Sequence, residues 1–228
     1  MYQFVLGALF AGQLNSGINA AWMLLYLADN KKWHDLVLEE TERVADRYCS
    51  DSSLSLVDRL MHVPMEAWEF EFQTTDLVLK ECIRLQLPGS AFRKNISGRP
   101  IPLNKEGTEV IPPDAYAAFA VVDVHLNPEI YPDPERFDPE RYFPDRAEDK
   151  KKQYGWIGWG VSRHPCLGMR FAKLENNIIT AFWVAAFKDM QLVDAKGNAS
   201  GPPAVDRNFH SATKPAQKVY INYTPREN

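Results

Sequence analysis

The chain has 228 residues, of which 45% are hydrophobic and 25% are charged, a balance typical of a globular protein and not of a disordered one. Its formal net charge of −4 leaves no basic excess to displace phosphate counterions, so we exclude a nucleic-acid-binding function. The three cysteines, Cys49, Cys82 and Cys166, are odd in number and far apart, which argues against a zinc site or a disulfide framework. A reducing compartment fits this thiol usage best.

The first 28 residues carry no charge and form an apolar run long enough to raise the question of a membrane span. Three polar residues near its middle, Gln13, Asn15 and Ser16, would be costly in the centre of a bilayer. The sequence therefore favours a helix that is buried inside a soluble protein. Such a helix is apolar nearly all round and needs neighbours on every side, so we expect the chain to be part of a larger domain.

The rest of the chain predicts helices first and short strands later. The hydrophobic pattern predicts helices that end at Ala28, run from Trp33 to Tyr48, begin near Pro64, cover Thr75 to Leu87 and extend from about Cys166 to Phe187. Residues 51–61 are predicted as a Ser-rich connection, and strands are expected within residues 90–120 and in the tail after residue 192. Residues 127–153 are Pro-rich yet hold several aromatics, which is typical of a functional or core-packed segment. The predicted fold is mainly α with small β-sheets.

The strongest chemical signal is the segment Trp-Gly-Val-Ser-Arg-His-Pro-Cys-Leu-Gly at residues 159–168, which places Cys166 in a loop just before an apolar helix. Backbone N–H groups at the start of that helix, together with its dipole, favour a thiolate over a thiol. Gly168 lets the backbone come close to the sulfur or to a flat ligand. A cysteine before a helix is by itself more often a buried structural residue, so the surrounding pattern decides.

That pattern resembles the heme-binding loop of the cytochrome P450 family, in which an aromatic residue and glycines precede the cysteine and a glycine follows it. Ala172 and Glu175 stand at the spacing that the family expects after its cysteine. Trp159 takes the place of the family's phenylalanine, and Ser162 takes the place of a glycine that allows the loop a tight turn. The resemblance implies that Cys166 is the iron ligand. The other residues that it places at the heme are Trp159, Gly160 and Gly168 beside the sulfur, and Arg93 and His164 at the heme carboxylates.

Two further motifs resemble the same family and follow in its order. Glu81 and Arg84 form a Glu-x-x-Arg pair, which puts both side chains on one helix face. Arg141 lies within a Phe-x-Pro-Glu-Arg-Tyr segment at residues 137–142. The resemblance implies that these three residues form one buried ionic triad. Any one of these motifs alone would be read as solvated surface charge, so the specificity comes from the joint match.

The opening helix resembles the family's helix that crosses the distal face of the heme, with Gly12 allowing a close approach. The family's usual threonine is replaced by Asn15, and Ser16 follows it, so the resemblance implies Asn15 and Ser16 as the catalytic polar groups. A similar asparagine occurs in bile-acid-forming sterol hydroxylases, which oxygenate, and in prostacyclin synthase, which isomerises. A structural interpretation also stays open, in which Gln13, Asn15 and Asn19 satisfy one another inside the helix.

The resemblance covers residues 1–228 and implies that they are the C-terminal heme-ligating portion of one P450-like domain. It implies a heme cofactor and the insertion of one oxygen atom from O2 into an apolar molecule that is lipid-like or a secondary metabolite. No G-x-G-x-x-G fingerprint is present, so NADPH electrons are expected from a separate flavoprotein reductase. The complete protein is expected at the cytosolic face of the endoplasmic reticulum membrane. A faint likeness to the sterol demethylase branch rests on residues 20–22 and 208–211.

The substrate pocket is expected to be lined by residues 87–92 and by the turn at residues 209–212. Two alternatives to a monooxygenase stay open at this point. One is a heme-thiolate isomerase or dehydratase that needs no reductase, and the other is a truncated, non-catalytic fragment.

Overall fold

The computed structural model describes residues 2–208, 212, 214–215 and 217–226. Over these residues the chain is mainly helical with small β-sheets, as predicted. The helices are α1 (Tyr2–Asp29), α2 (Lys31–Tyr48), α3 (Leu56–Leu60), α4 (Met65–Phe70), α5 (Gln73–Gln86), α6 (Val121–His125) and α7 (Met169–Ala186). The strands are β1 (Ser90–Lys94), β2 (Ile101–Pro102), β3 (Val110–Ile111), β4 (Tyr116–Ala120), β5 (Phe187–Val193) and β6 (Tyr220–Pro225).

The strands form antiparallel pairs, β1 with β4, β2 with β3 and β5 with β6. In the first pair Ser90 faces Ala120 and Lys94 faces Tyr116, so the chain folds back on itself directly after α5. Between α6 and α7 lies a long segment whose regular structure, in the described part, consists of the 3-10 turns Pro139–Tyr142 and Glu148–Lys150. The prediction of an irregular, aromatic-containing connection at this place is confirmed.

The predicted Ser-rich connection at residues 51–61 is wrong in part, because it contains helix α3. The Ser55 hydroxyl accepts a hydrogen bond from the Asp58 N–H at 3.1 Å, which caps the helix, and Leu60 anchors it in the core. A five-residue helix has too few turns to show a periodic pattern. Its existence depends on this cap and this anchor.

Helix α5 lies in the middle of the molecule, and the second half of α1 packs against it. Val78, Leu79 and Cys82 of α5 are fully buried and share one core cluster with Trp22 and Met23 of α1. A second cluster joins α2, α4 and α7 around stacked aromatic rings, Trp68 on Phe72. These helices form the scaffold on which the irregular segment and the loop before α7 rest.

Helix α1 is enclosed only over its second half. Phe4, Leu9 and Phe10 are exposed by 79, 64 and 68%, whereas Met23 and Leu27 are buried. Among the described residues, the first half of this helix therefore lacks the neighbours that a helix apolar nearly all round needs. None of the helices in the described part of the chain is both long and apolar enough to cross a bilayer.

Candidate cofactor site

The predicted ionic triad is present and buried. The Glu81 carboxylate accepts two hydrogen bonds from Arg84, from Nε and from Nη2, each at 2.7 Å. Its Oε1 atom also accepts from Arg141 Nε at 3.3 Å. All three side chains are at most 1% exposed, so the pairing is needed to offset the cost of taking these charges out of water.

The network is larger than the sequence indicated. The Tyr142 hydroxyl donates to Glu81 at 2.8 Å, and Arg141 makes a second ion pair, with Glu148, at 2.9 Å. Arg146 in turn binds Glu148 and Asp138. Its charged members balance as three carboxylates and three guanidinium groups, namely Glu81, Asp138, Glu148, Arg84, Arg141 and Arg146.

The arginines of this network also hold the irregular segment in place. Arg84 donates to the carbonyls of His125 and Pro134, each at 2.7 Å, and Arg141 donates to the carbonyl of Asp133 at 2.7 Å. Burial alone would lower the pKa of Arg84, but the hydrogen bonds and charge of Glu81 outweigh it, and the pKa is raised. Arg84 therefore stays charged and keeps donating at any physiological pH.

The loop before α7 is closed by short backbone hydrogen bonds. The Cys166 N–H donates to the Trp159 carbonyl at 2.6 Å, and the Gly160 N–H donates to the Ile157 carbonyl at 2.9 Å. Gly160 has a φ of +73°, and a Cβ atom there would lie 2.5 Å from the His164 carbonyl oxygen. Both the backbone angle and the space exclude a side chain at this position, so the glycine is required for loop closure.

Ser162 adopts a left-handed backbone conformation, with a φ of +58°. This explains why the resemblance called for a glycine at this position. The loop takes the expected turn even though this residue is a serine. The departure from the family pattern therefore raises the energy of the turn and leaves its backbone path unchanged. A non-glycine residue in this conformation costs about 1–2 kcal/mol.

We predict that Ser162→Gly stabilises the protein by about 0.5–1 kcal/mol. The strain is relieved, and part of the gain is offset by the greater freedom of glycine in the unfolded chain. Thermal and urea unfolding of the heme-loaded protein measure this difference. Ser162→Val is the matched control and should destabilise it, because a β-branched residue is poorly accommodated at positive φ. Equal unfolding midpoints for both variants would contradict the strained turn.

Of the three cysteines, Cys166 is the most accessible to a cofactor. Cys82 is fully buried, and burial followed by the charge of Glu81 raises the pKa of its thiol well above the ordinary value. Cys49 is half-buried at the end of α2, whereas Cys166 is exposed. A Cβ atom on Gly168 would meet nothing within 4 Å, and Leu167 beside it is 99% exposed. An accessible sulfur with open space and apolar neighbours fits a flat, apolar, metal-bearing group such as heme.

Helix α1 crosses the start of α7, close to this loop. A Cβ atom on Gly12 would lie 4.0 Å from Phe171, which comes five residues after Cys166. Asn15 and Ser16 follow Gly12 at three and four residues, so they occupy the same helix face. The structure therefore brings the predicted catalytic positions and the cysteine segment to neighbouring elements. Ser16 is buried and Asn15 is exposed.

The structural interpretation of the polar residues in α1 is wrong. The Asn15 side chain donates to the Ala11 carbonyl at 3.3 Å, so its amide oxygen remains available as an acceptor. Asn19 accepts a hydrogen bond from Gln86 on α5. Asn15 and Asn19 therefore have separate partners and do not satisfy one another.

Arg93 and His164 lie on two different elements. Arg93 is exposed on β1 and donates to the neighbouring Phe92 carbonyl at 2.7 Å, and His164 is exposed in the loop two residues before Cys166. Among the described residues no hydrogen bond or ion pair links Arg93, His164 and Cys166. Their assignment to the heme carboxylates stays a prediction, as do the roles of Trp159, Gly160 and Gly168 at the heme.

An apolar cavity of about 840 Å³ lies on the side of α1 that faces away from Cys166. It is lined by Leu14, Gly17 and Ala21 together with the segment before β6. These α1 positions lie opposite Gly12 on the helix, so the cavity is separate from the candidate site. In the predicted substrate turn, residues 209–211 lie outside the described part of the chain.

The comparisons with known proteins agree with this geometry. The cytochrome P450 family model matches residues 1–194. Over 230 residues the chain is 37% identical to the cytochrome P450 monooxygenase AacuE of Aspergillus aculeatus, covering 100% of this chain and 45% of the relative. It is 36% identical to the cytochrome P450 monooxygenase nsrP of Aspergillus novofumigatus, covering 99% of this chain and 44% of the relative. The chain thus spans less than half the length of these curated relatives.

Among solved structures, retinoic acid bound cyanobacterial CYP120A1 matches with a TM-score of 0.69 and 24% identity. The match covers 96% of this chain and 45% of that chain, and it supports the fold. The predicted likeness to sterol demethylases is present at lower identity, since lanosterol 14-alpha demethylase of Eremothecium gossypii is 28% identical over 209 residues. A family match over most of the chain, a relative above 30% identity across its whole length and the buried Glu-Arg-Arg network together lead to one conclusion. The chain belongs to the cytochrome P450 family.

Proposed function

We propose that this chain is the heme-ligating part of a monooxygenase that inserts one oxygen atom from O2 into an apolar substrate. The observation that carries the proposal is the accessible Cys166 in a closed loop, with Gly12 of α1 on the neighbouring face. The names of the fungal relatives, which are called monooxygenases, support the same reaction class. The substrate class proposed is a lipid-like molecule or a secondary metabolite.

The residues of the loop have separate roles in this proposal. Heme bound through a thiolate would supply an iron centre for oxygen chemistry. Electron donation from the sulfur would favour cleavage of the O–O bond. Cys166 provides the thiolate, and the bulky, half-buried Trp159 shields it from water on the side of the core. Gly168 leaves the space that a flat ring needs. Arg93 and His164 donate to the heme carboxylates, a role that suits a guanidinium group well.

On α1, Asn15 and Ser16 position the hydrogen-bonding groups that deliver the protons consumed by oxygen reduction. The amide nitrogen of Asn15 is engaged with the Ala11 carbonyl, so its free oxygen can orient a water molecule by accepting from it. Ser16 offers a hydroxyl one position further along the same face. Electrons come from NADPH through a separate flavoprotein reductase, and the complete protein works at the cytosolic face of the endoplasmic reticulum membrane.

The second candidate is a heme-thiolate isomerase or dehydratase, and the observation that favours it is the asparagine at position 15, where a hydroxyl would normally assist proton delivery. The two candidates differ in their need for electrons. An oxygenase consumes NADPH and O2 for each product molecule, whereas an isomerase turns over without a reductase.

We predict that Asn15→Ala lowers the fraction of NADPH electrons recovered in product, with the rest lost to hydrogen peroxide or water. Loss of the group that positions the proton-delivering water costs on the order of 10²-fold in product formation, the low end of the range for positioned proton transfer. The complete protein is assayed with a reductase for NADPH consumption, peroxide and product. Gln13→Ala, an exposed polar change on the same helix, is the matched control and should leave the coupling unchanged. Turnover with neither reductase nor NADPH would reject the oxygenase and favour the isomerase.

A further inference from the structure

His125 is a fully buried histidine that none of the motifs above includes. It ends the short helix α6, and its side chain is 0% exposed. Burial, and then the positive charge of Arg84, lower the pKa of His125 to about 3, so the ring is neutral at physiological pH. A neutral imidazole has one nitrogen that accepts a hydrogen bond and one that donates.

The accepting nitrogen faces the loop that carries Cys166. His125 Nε2 accepts a hydrogen bond from the backbone N–H of Ile157 at 3.0 Å. The carbonyl of the same Ile157 accepts a hydrogen bond from the N–H of Gly160, at the beginning of the Cys166 loop. The imidazole ring also stacks on Trp156, with ring centroids 5.8 Å apart, and Trp156 meets Trp159 edge-on at 6.5 Å.

The other nitrogen, Nδ1, has no hydrogen-bond partner among the described residues. Because Nε2 accepts, the proton of the neutral ring is on Nδ1, and an unpaired buried donor is costly. A purely apolar side chain would avoid this cost but would leave the Ile157 N–H without an acceptor. At the same time the backbone carbonyl of His125 accepts from Arg84 at 2.7 Å, which ties the residue to the ionic network.

From these contacts we propose that His125 is a positioning residue for the Cys166 loop. His125 links the rigid Glu81–Arg84 network to the start of the loop, through the hydrogen bond to Ile157 and the stack on Trp156. The inference rests on the proposed function, because it is the placement of a heme-ligating thiolate that this contact secures. His125 acts through Ile157 and Trp156 and has no contact with Cys166 itself.

The test uses two substitutions that separate the acceptor from the volume of the ring. His125→Phe keeps an aromatic ring for Trp156 but removes the acceptor, and His125→Gln keeps an acceptor at similar reach. Both are made in the complete protein, purified with the heme it carries, and amide hydrogen exchange is followed residue by residue. His34→Phe on α2 is the matched control, since His34 also has a buried ring nitrogen without a partner.

We expect His125→Phe to speed amide exchange at Ile157 and Cys166 by about ten-fold, while the amides of α7 exchange as in the wild type. The same variant should lose part of the red-shifted Soret band of the reduced, carbon-monoxide-bound form. His125→Gln should restore both readouts to near the wild-type values, and His34→Phe should change neither.

Three results would overturn the proposal. They are unchanged exchange at Ile157 in His125→Phe, a uniform acceleration that includes α7, and a His125→Gln variant as fast as His125→Phe. Failure of the proposed function is seen separately, as a wild-type protein without the red-shifted Soret band. The exchange rates remain readable in that case.

Discussion

Glu81→Ala is expected to yield little heme-loaded protein. The Glu81 carboxylate accepts hydrogen bonds from Arg84, Arg141, Tyr142 and the backbone N–H of Asp138, and it is fully buried. Its removal leaves the buried Arg84 without a carboxylate partner and takes one of two from Arg141, which keeps Glu148. Breaking a buried ion pair in this way typically costs about 3–5 kcal/mol. For a chain of this size that corresponds to a loss of roughly 6–20 °C in the melting temperature.

The measurement is thermal unfolding together with the ratio of heme absorbance to protein absorbance after purification. Glu39→Ala is the matched control, because Glu39 is an exposed glutamate on α2, and its removal should change stability by no more than about 0.5 kcal/mol. A Glu81→Ala protein that keeps its heme and melts at the wild-type temperature would show that the network contributes nothing to the fold.

Cys166→Ser is expected to abolish the red-shifted Soret band of the reduced, carbon-monoxide-bound protein. A serine hydroxyl stays protonated at neutral pH and donates far less electron density than a thiolate, so the spectroscopic sign of thiolate ligation disappears. Because Cys166 is exposed, the substitution should leave the melting temperature of the heme-free protein nearly unchanged.

Cys49→Ser serves as the control for Cys166→Ser. Cys49 lies at the C-terminal cap of α2 and is not part of the loop, so its loss should leave the band in place. An intact band in Cys166→Ser would remove the central residue of the proposed function. Loss of the band in Cys49→Ser as well would point to general unfolding and not to ligation.

The sequence predicted well those features that depend on local pattern. The long helices were placed to within a few residues, because their apolar periods and their stop signals are local. The Glu81–Arg84 pair and Arg141 were identified because the three motifs match one family jointly, and the structure confirms that they meet. The strained Ser162 was flagged by its departure from the same pattern.

The features that were missed depend on contacts between distant segments. Glu148 lies in a charged, irregular segment. No periodic hydrophobic pattern there distinguishes a buried carboxylate from a solvated one. His125 belongs to none of the sequence motifs, because its burial results from the packing of α6 on α5 and on the segment around Trp156.

The long sequence separation between Arg84 and its hydrogen-bond acceptors has a consequence for the order in which the protein folds. Its carbonyl acceptors lie 41, 50 and 52 residues further along the chain, at His125, which ends α6, and at Pro134 and Arg136 of the irregular segment. The irregular segment has no regular ladder of backbone hydrogen bonds that could order it locally. Closing loops of this length also carries an entropic cost before any contact compensates it. We therefore expect the irregular segment to become ordered only once α5 is in place to present the guanidinium group. In kinetic terms α5 would act as a template. The Cys166 loop, which is tied to α6 by the hydrogen bond between Ile157 and His125, would be among the last parts of the chain to reach its final shape.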